Sequence, residues 1–164
     1  MKSLVTYYSR TGNNRRVAGE IAEALGAEVE ELKENASREG RMGFVKAGAD
    51  ALRKRPAQLH KLTHDPADYD LVVIGGPCWA STICTPTRTY GIQQKEHFKR
   101  IAVFATAQDA GNARKAVDAM VDVVEIAPVA TMALSDAEVA EDHAQRIADF
   151  VAALNGTAPH TPVA

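Results

Sequence analysis

An unbroken aliphatic run, Leu71-Val72-Val73-Ile74, breaks off in Gly75-Gly76-Pro77. Successive side chains of a strand point to opposite faces, so four apolar residues in a row require burial on both sides. That is the situation of a parallel sheet covered by helices. Ile101 to Ala105 repeats the pattern and gives way to Thr106-Ala107-Gln108-Asp109-Ala110-Gly111. A shorter strand, carrying Leu4, Val5 and Tyr7, opens the chain and runs into Ser9-Arg10-Thr11-Gly12-Asn13-Asn14.

Helical patterns alternate with these strands. Val17, Ala18, Ile21, Ala22 and Leu25 recur at helical spacing, and Gly26 closes that helix. Ala27 to Leu32 reads as a strand near a sheet edge. In residues 36–68, Phe44, Val45, Gly48 and Leu52 predict a short helix, and Asp65-Pro66-Ala67-Asp68 a turn. Thr85-Pro86 reads as an N-cap with proline at the first helical position, for a helix to about Tyr90. Ala113, Ala116, Val117 and Met120 form the inner face of the next helix, and Val123 to Met132 a last extended segment. Ser135-Asp136-Ala137-Glu138 is a capping box. It opens a final helix with Ala140, His143, Ala144, Ile147, Val151 and Leu154 inward, ending at Asn155-Gly156.

The order β-α-β-(α)-β-α-β-α-β-α predicts an α/β three-layer αβα sandwich around a five-stranded parallel sheet in the order 2-1-3-4-5. A ligand of such a sheet binds at the carboxyl ends of strands 1, 3 and 4. Here those ends are Ser9–Asn14, Pro77–Thr82 and Thr106–Gly111. The first loop is a glycine- and hydroxyl-containing turn at a helix N-terminus, where free N–H groups and the helix dipole favour an anion such as a phosphate monoester. No lysine follows the glycine and no GxGxxG occurs, which excludes the nucleoside-triphosphate and dinucleotide loops. The same turn also serves as an ordinary helix cap; convergence of three loops on one edge is what distinguishes the two readings.

With 164 residues, the chain is expected to form one domain over 1–155 with a flexible tail at 156–164. A net charge of -2 implies no nucleic-acid partner. No apolar run approaches the roughly 20 residues of a membrane span. The start of the chain lacks a signal-peptide pattern, so the expected location is cytoplasmic, without membrane insertion. Cys78 and Cys84 make neither a disulfide framework nor a zinc pattern. His60, His64 and His97 have no metal-ligand spacing, so no metal is expected. His143 is read as packed rather than catalytic, and Cys78 as a small hydrophobe rather than a redox thiol.

Three segments together resemble the flavodoxin family. Tyr7-Tyr8-Ser9-Arg10-Thr11-Gly12-Asn13-Asn14 is similar to its phosphate loop, Asp70 to Ala80 to its second flavin loop, and Thr85 to Tyr90 to the helix start that follows. The resemblance spans residues 2–155 and implies non-covalent FMN and redox chemistry. It assigns Ser9, Arg10, Thr11, Gly12, Asn13 and Asn14 to the phosphate. Pro77, Cys78, Trp79 and Ala80 line the isoalloxazine ring, with Trp79 stacked on or flanking it. Thr106, Ala107, Gln108, Asp109 and Gly111 reach the pyrimidine edge. Asn14 stands where relatives often carry Thr or Ser. Ser81 stands where many carry Gly, so the peptide that turns toward the reduced ring is less free here. No catalytic side chain is implied.

The resemblance implies an electron carrier between redox partner proteins. An FMN-dependent oxidoreductase acting on NAD(P)H or a quinone is the alternative. It draws support from the basic residues at 38, 41, 46, 53, 54, 55 and 61 and from Arg88, Lys95, Lys99 and Arg100, which suit an anionic nucleotide. A flavin-free binding module is the third reading.

Overall fold

The structure, a computed structural model, describes residues 1–35 and 40–156. Strand β1 (Ser3–Tyr7) leads into helix α1 (Asn13–Leu25), then β2 (Glu28–Glu31) and α2 (Gly40–Leu52). Strand β3 (Leu71–Trp79) folds back as the short β4 (Thr82–Ile83). Helix α3 (Thr85–Gln94), β5 (Ile101–Ala107) and α4 (Ala110–Val124) follow. The chain continues through β6 (Thr131–Ser135), α5 (Asp136–Ala140) and α6 (Ala144–Leu154). The sheet runs β2-β1-β3-β5-β6, all parallel, and β4 pairs only with β3, antiparallel. With that hairpin strand set aside, this is the predicted order.

The unbroken apolar runs feed two cores. Leu4, Val72, Ile74, Ile101, Val103 and Ala105 face one side, against Ala47 and Ala51 of α2, Tyr90 of α3, and Ala116, Val117 and Met120 of α4. Val5, Tyr7, Leu71, Val73, Ala102 and Phe104 face the other, against Val17 and Ile21 of α1, Val139 of α5, and Ile147 and Phe150 of α6. Each strand thus serves both layers in strict alternation.

Gly75 and Gly76 do not end β3 as their sequence suggests; they lie inside it. Gly75 is in register with Phe104, and a Cβ there would lie 2.0 Å from Cζ of that buried ring. On the opposite face, a Cβ at Gly76 would lie 2.4 Å from Oγ1 of Thr87, whose hydroxyl donates to the Gly75 carbonyl at 3.1 Å. The two glycines are close approaches from both layers.

Three predicted details are corrected. Val123 and Val124 are helical, because Val124 continues the inner face of α4 four residues beyond Met120; Glu125 then caps the helix at φ 58° and the last strand is Thr131–Ser135. Cys84 holds the cap position of α3, with Thr85 and Pro86 already helical. The capping box of Ser135 and Glu138 forms, but the final helix is broken between Ala140 and Ala144. Its inner face is therefore Val139, Ile147, Phe150 and Leu154, while Ala140 and Ala144 are exposed and Val151 is half-buried. In α2 the small residues Gly43, Ala47 and Ala51 turn inward together with Asp50, and Val45 and Leu52 face out. His143 is buried at the α5–α6 junction as predicted, its Nε2 2.7 Å from Oε2 of Glu20. Residues 36–39 with Arg38, the tail 157–164 and the Phe44 side chain lie outside the described residues.

The β3–β4 hairpin turns on Ala80 and Ser81, at φ 49° and 60°. Two consecutive left-handed residues make the type I′ pattern, which glycine adopts freely and serine does not. Ser81→Gly is expected to stabilise the fold by about 0.5–1 kcal/mol, the relief of backbone strain exceeding the entropy cost of glycine. The check is a thermal melt, with Tm rising by about 2 °C; a fall would mean that the weak contact from Ser81 Oγ to Asn112 Oδ1 at 3.4 Å outweighs the strain.

Candidate functional site

The carboxyl ends of β1, β3 and β5 lie side by side, and their loops enclose a cavity of about 520 Å³. Its wall is built from Arg10 and Thr11, then Pro77 through Ser81, then Thr106, Ala107 and Gln108, with Asn112 and Asp136 completing it. Smaller surface depressions lie along the β2 edge and beside residues 61–66, away from these loops.

The first loop is shaped by Gly12, whose φ of 104° only glycine adopts without strain. Gly12 occupies the cap position of α1, and no side chain caps the helix. The first turn itself carries no acid, and the helix dipole gives its N–H groups partial positive charge. Ser9 Oγ accepts the Gly12 N–H at 3.1 Å, which closes the turn on itself. Asn13 donates to Asp136 at 2.7 Å. Asn14 is buried and donates from Nδ2 to Thr106 Oγ1 at 2.8 Å, bracing the first loop against β5. Its Oδ1 is buried with no partner among the described residues.

The second loop is apolar. Trp79 is only 6% exposed, and its ring meets Tyr8 edge-to-face at 5.5 Å. It serves at once as cavity wall and as core. Cys78 is half-buried in the wall, and burial pushes its thiol pKa up. Cys84 beneath it is fully buried, its pKa pushed up to about 12 for the same reason. Both thiols stay protonated at neutral pH, which removes them as nucleophiles.

No family model matches the sequence, and no curated protein matches it. Solved structures do match. A flavoprotein in complex with FMN from Lactobacillus acidophilus NCFM superposes with a TM-score of 0.67 at 24% identity, over 85% of this chain and 97% of that one. Oxidised flavodoxin 2 from Bacillus cereus gives 0.61 at 17% identity, over 95% and 99%. Oxidised flavodoxin 1 from the same organism gives 0.58 at 15% identity, over 97% and 100%. The fold is flavodoxin-like.

In this flavodoxin-like chain, nine of the residues expected at the site line the cavity: Arg10, Thr11, Pro77, Cys78, Trp79, Ala80, Thr106, Ala107 and Gln108. Ser9, Gly12, Asn13 and Asn14 stand behind that wall as the frame of the first loop. Asp109 is a helix cap. Its carboxylate accepts the Asn112 N–H at 2.9 Å and the Asn112 side chain at 2.7 Å, bonds that hold its pKa below the usual carboxylate range. Gly111 is exposed in the first turn of α4 and does not reach the wall. Ser81, within the expected second loop, also lines the cavity, and sequence reasoning missed Asn112 and Asp136. The Asp109-x-x-Asn112 cap carried a signal for the first of these, and the turn after the last strand one for the second.

Among the described residues no cluster of His, Cys, Asp or Glu could hold a metal ion. No described helix is long and apolar enough to cross a membrane.

Proposed function

We propose that this chain binds FMN non-covalently in the three-loop cavity and carries electrons between redox partner proteins. The observation that carries the reading is the convergence, in one cavity, of a helix N-terminus that has no side-chain cap and no acid in its first turn with the apolar side chains of Pro77, Cys78 and Trp79. The ligand this favours has an anion at one end and a flat aromatic ring at the other, and a relative of this fold is known in complex with FMN. Bound FMN would supply one- and two-electron redox chemistry.

The protein's part is to bind and to orient. The loop from Ser9 to Asn14 would hold the phosphate, through the N–H groups not already bonded within the turn and the side chains of Arg10 and Thr11. Pro77, Cys78, Trp79 and Ala80 would flank the ring and shield it from water. Thr106, Ala107 and Gln108 would meet its polar edge. Asp109 and Gly111 would act on that edge through the shape of the α4 start.

The oxidoreductase reading loses part of its support. Lys99 and Arg100 precede β5, whose far end reaches the cavity, so they lie about 20 Å from it. Lys95 is paired with Glu125, and Arg88 donates to the Lys54 carbonyl at 3.4 Å. A nucleotide at the cavity would not meet the cluster at 95–100. A cytoplasmic setting fits, since reducing conditions keep Cys78 and Cys84 as thiols.

The test is titration of the apoprotein with FMN, followed by quenching of flavin fluorescence. Tight one-to-one binding is expected; absence of binding would leave the partner-surface reading. Reversible cycling with a reductase, without steady NAD(P)H oxidation, is the outcome that separates carrier from enzyme. Thr11→Asp sets a carboxylate against the phosphate and is expected to weaken FMN at least about tenfold, roughly 1.4 kcal/mol. Unchanged affinity would remove the first loop from the site.

A further inference from the structure

The outer face of α2 is unlike the rest of the surface. Met42, Val45 and Leu52 are 82%, 65% and 73% exposed, among the most exposed large apolar residues described. With Ala49 they fall at i, i+3, i+7 and i+10, the spacing of a two-residue apolar seam along one helix face. Isolated exposed apolar residues are ordinary, whereas a contiguous stripe marks an interaction site. The helix is held down by its other face, through Gly43, Ala47 and Ala51, so the stripe is not spare core.

Charge decides what covers it. Arg41, Lys46 and Arg53 border the stripe, and Lys54 and Arg55 follow its end, all exposed. The acid in this helix, Asp50, is turned inward and lies 3.8 Å from Arg55. Antiparallel pairing of two copies along the stripe would set Lys46 and Arg53 against each other, a like-charge contact at each end. Self-association is therefore disfavoured. A lipid surface would gain little from three large side chains on a helix anchored to the protein body.

We propose that the outer face of α2 is a docking surface for an acidic protein, one that presents an apolar helix stripe bordered by Asp and Glu. Its place in the fold gives the docking a use. Arg10, in the cavity wall, reaches the first residue of α2, its Nη2 3.4 Å from the Gly40 carbonyl. A partner lying along α2 therefore ends beside the cavity. The surface stands independently of what fills the cavity.

The probe is a labelled synthetic peptide of three heptads, with Leu at the a and d positions and Glu at e and g, followed by fluorescence anisotropy. A matched peptide carrying Lys at e and g is the comparison. Both are titrated against the apoprotein and the FMN-loaded protein, at low salt and at about 0.3 M salt. The acidic peptide is expected to bind, at least about tenfold more weakly in high salt and about tenfold more weakly to Leu52→Glu. The double variant Lys46→Glu, Arg53→Glu is expected to shift preference toward the basic peptide. These positions are exposed and outside the cavity, so FMN titration and circular dichroism of each variant report an intact fold.

Equal binding of the two peptides, or no binding of the acidic one, overturns the proposal. So does a dimer in sedimentation that is lost in Leu52→Glu, which would assign the stripe to a second copy. Co-sedimentation with phosphatidylserine–phosphatidylcholine vesicles, lost in Leu52→Glu and without peptide binding, would assign it to lipid.

Discussion

Gly75→Ala is expected to destabilise the domain by about 3 kcal/mol or more. The added methyl would lie 2.0, 2.1 and 2.7 Å from three ring carbons of Phe104, in a region where both residues are fully enclosed. A flexible tip could yield; an aromatic ring wedged between β5 and the helices above it cannot do so without moving the strand. The contrast within the same protein is Gly91, where a Cβ would meet the terminal methyl of the unbranched Met120 side chain at 2.4 Å. A domain of this size has on the order of 5–15 kcal/mol in total, so the loss is visible as a large fall in the urea midpoint. The decisive form is a double-mutant cycle. Phe104→Ala alone should cost about 3–5 kcal/mol through the cavity it opens. The pair should cost less than the sum, because the ring that excludes the methyl added at Gly75 is gone. Strict additivity would show that Gly75 is required for another reason.

The second large effect is at Trp79, where one substitution should register in two assays. Trp79→Ala removes a side chain only 6% exposed, packed against Tyr8 and the α2–α3–α4 core, at an expected cost of about 3–5 kcal/mol. It also removes the apolar wall of the cavity, so FMN affinity should fall at least about tenfold. Trp79→Phe keeps most of the packed volume and should recover much of the stability. Affinity that survives in a destabilised Trp79→Ala protein would return the residue wholly to the core. Affinity lost in Trp79→Phe, with stability retained, would show that the indole itself is recognised.

The sheet was legible because its strands are buried on both sides. Leu71 to Ile74 and Ile101 to Ala105 need two apolar faces, and only a covered parallel sheet provides them. The order and the site edge followed from the alternation of strands and helices. What the sequence hid was side-chain scale geometry. Nothing in Gly75-Gly76 says that Phe104 and Thr87 press on them, so the pair read as a strand end. Val123-Val124 read as strand because β-branched residues favour it, yet burial along the Met120 face of α4 won. In α2, Val45 and Leu52 signalled a helix but face outward, and the small residues Gly43, Ala47 and Ala51 turn inward. At the site, residue type picked out three loops that line one cavity but could not separate wall from frame. Asn14, expected at the phosphate, is bonded to Thr106, and Asp109, expected at the ring edge, caps α4.

That brace has a consequence for selectivity. The bond from Asn14 to Thr106 joins the start of α1 to the end of β5 across the intervening strand β3. In the proposed site this bond ties the loop that would hold the anion to the strand end that would meet the ring. On the proposed reading the two loops act as a gauge. A ligand whose charged and flat groups are spaced to match would find both ends already set, and a shorter or longer one would strain a buried hydrogen bond.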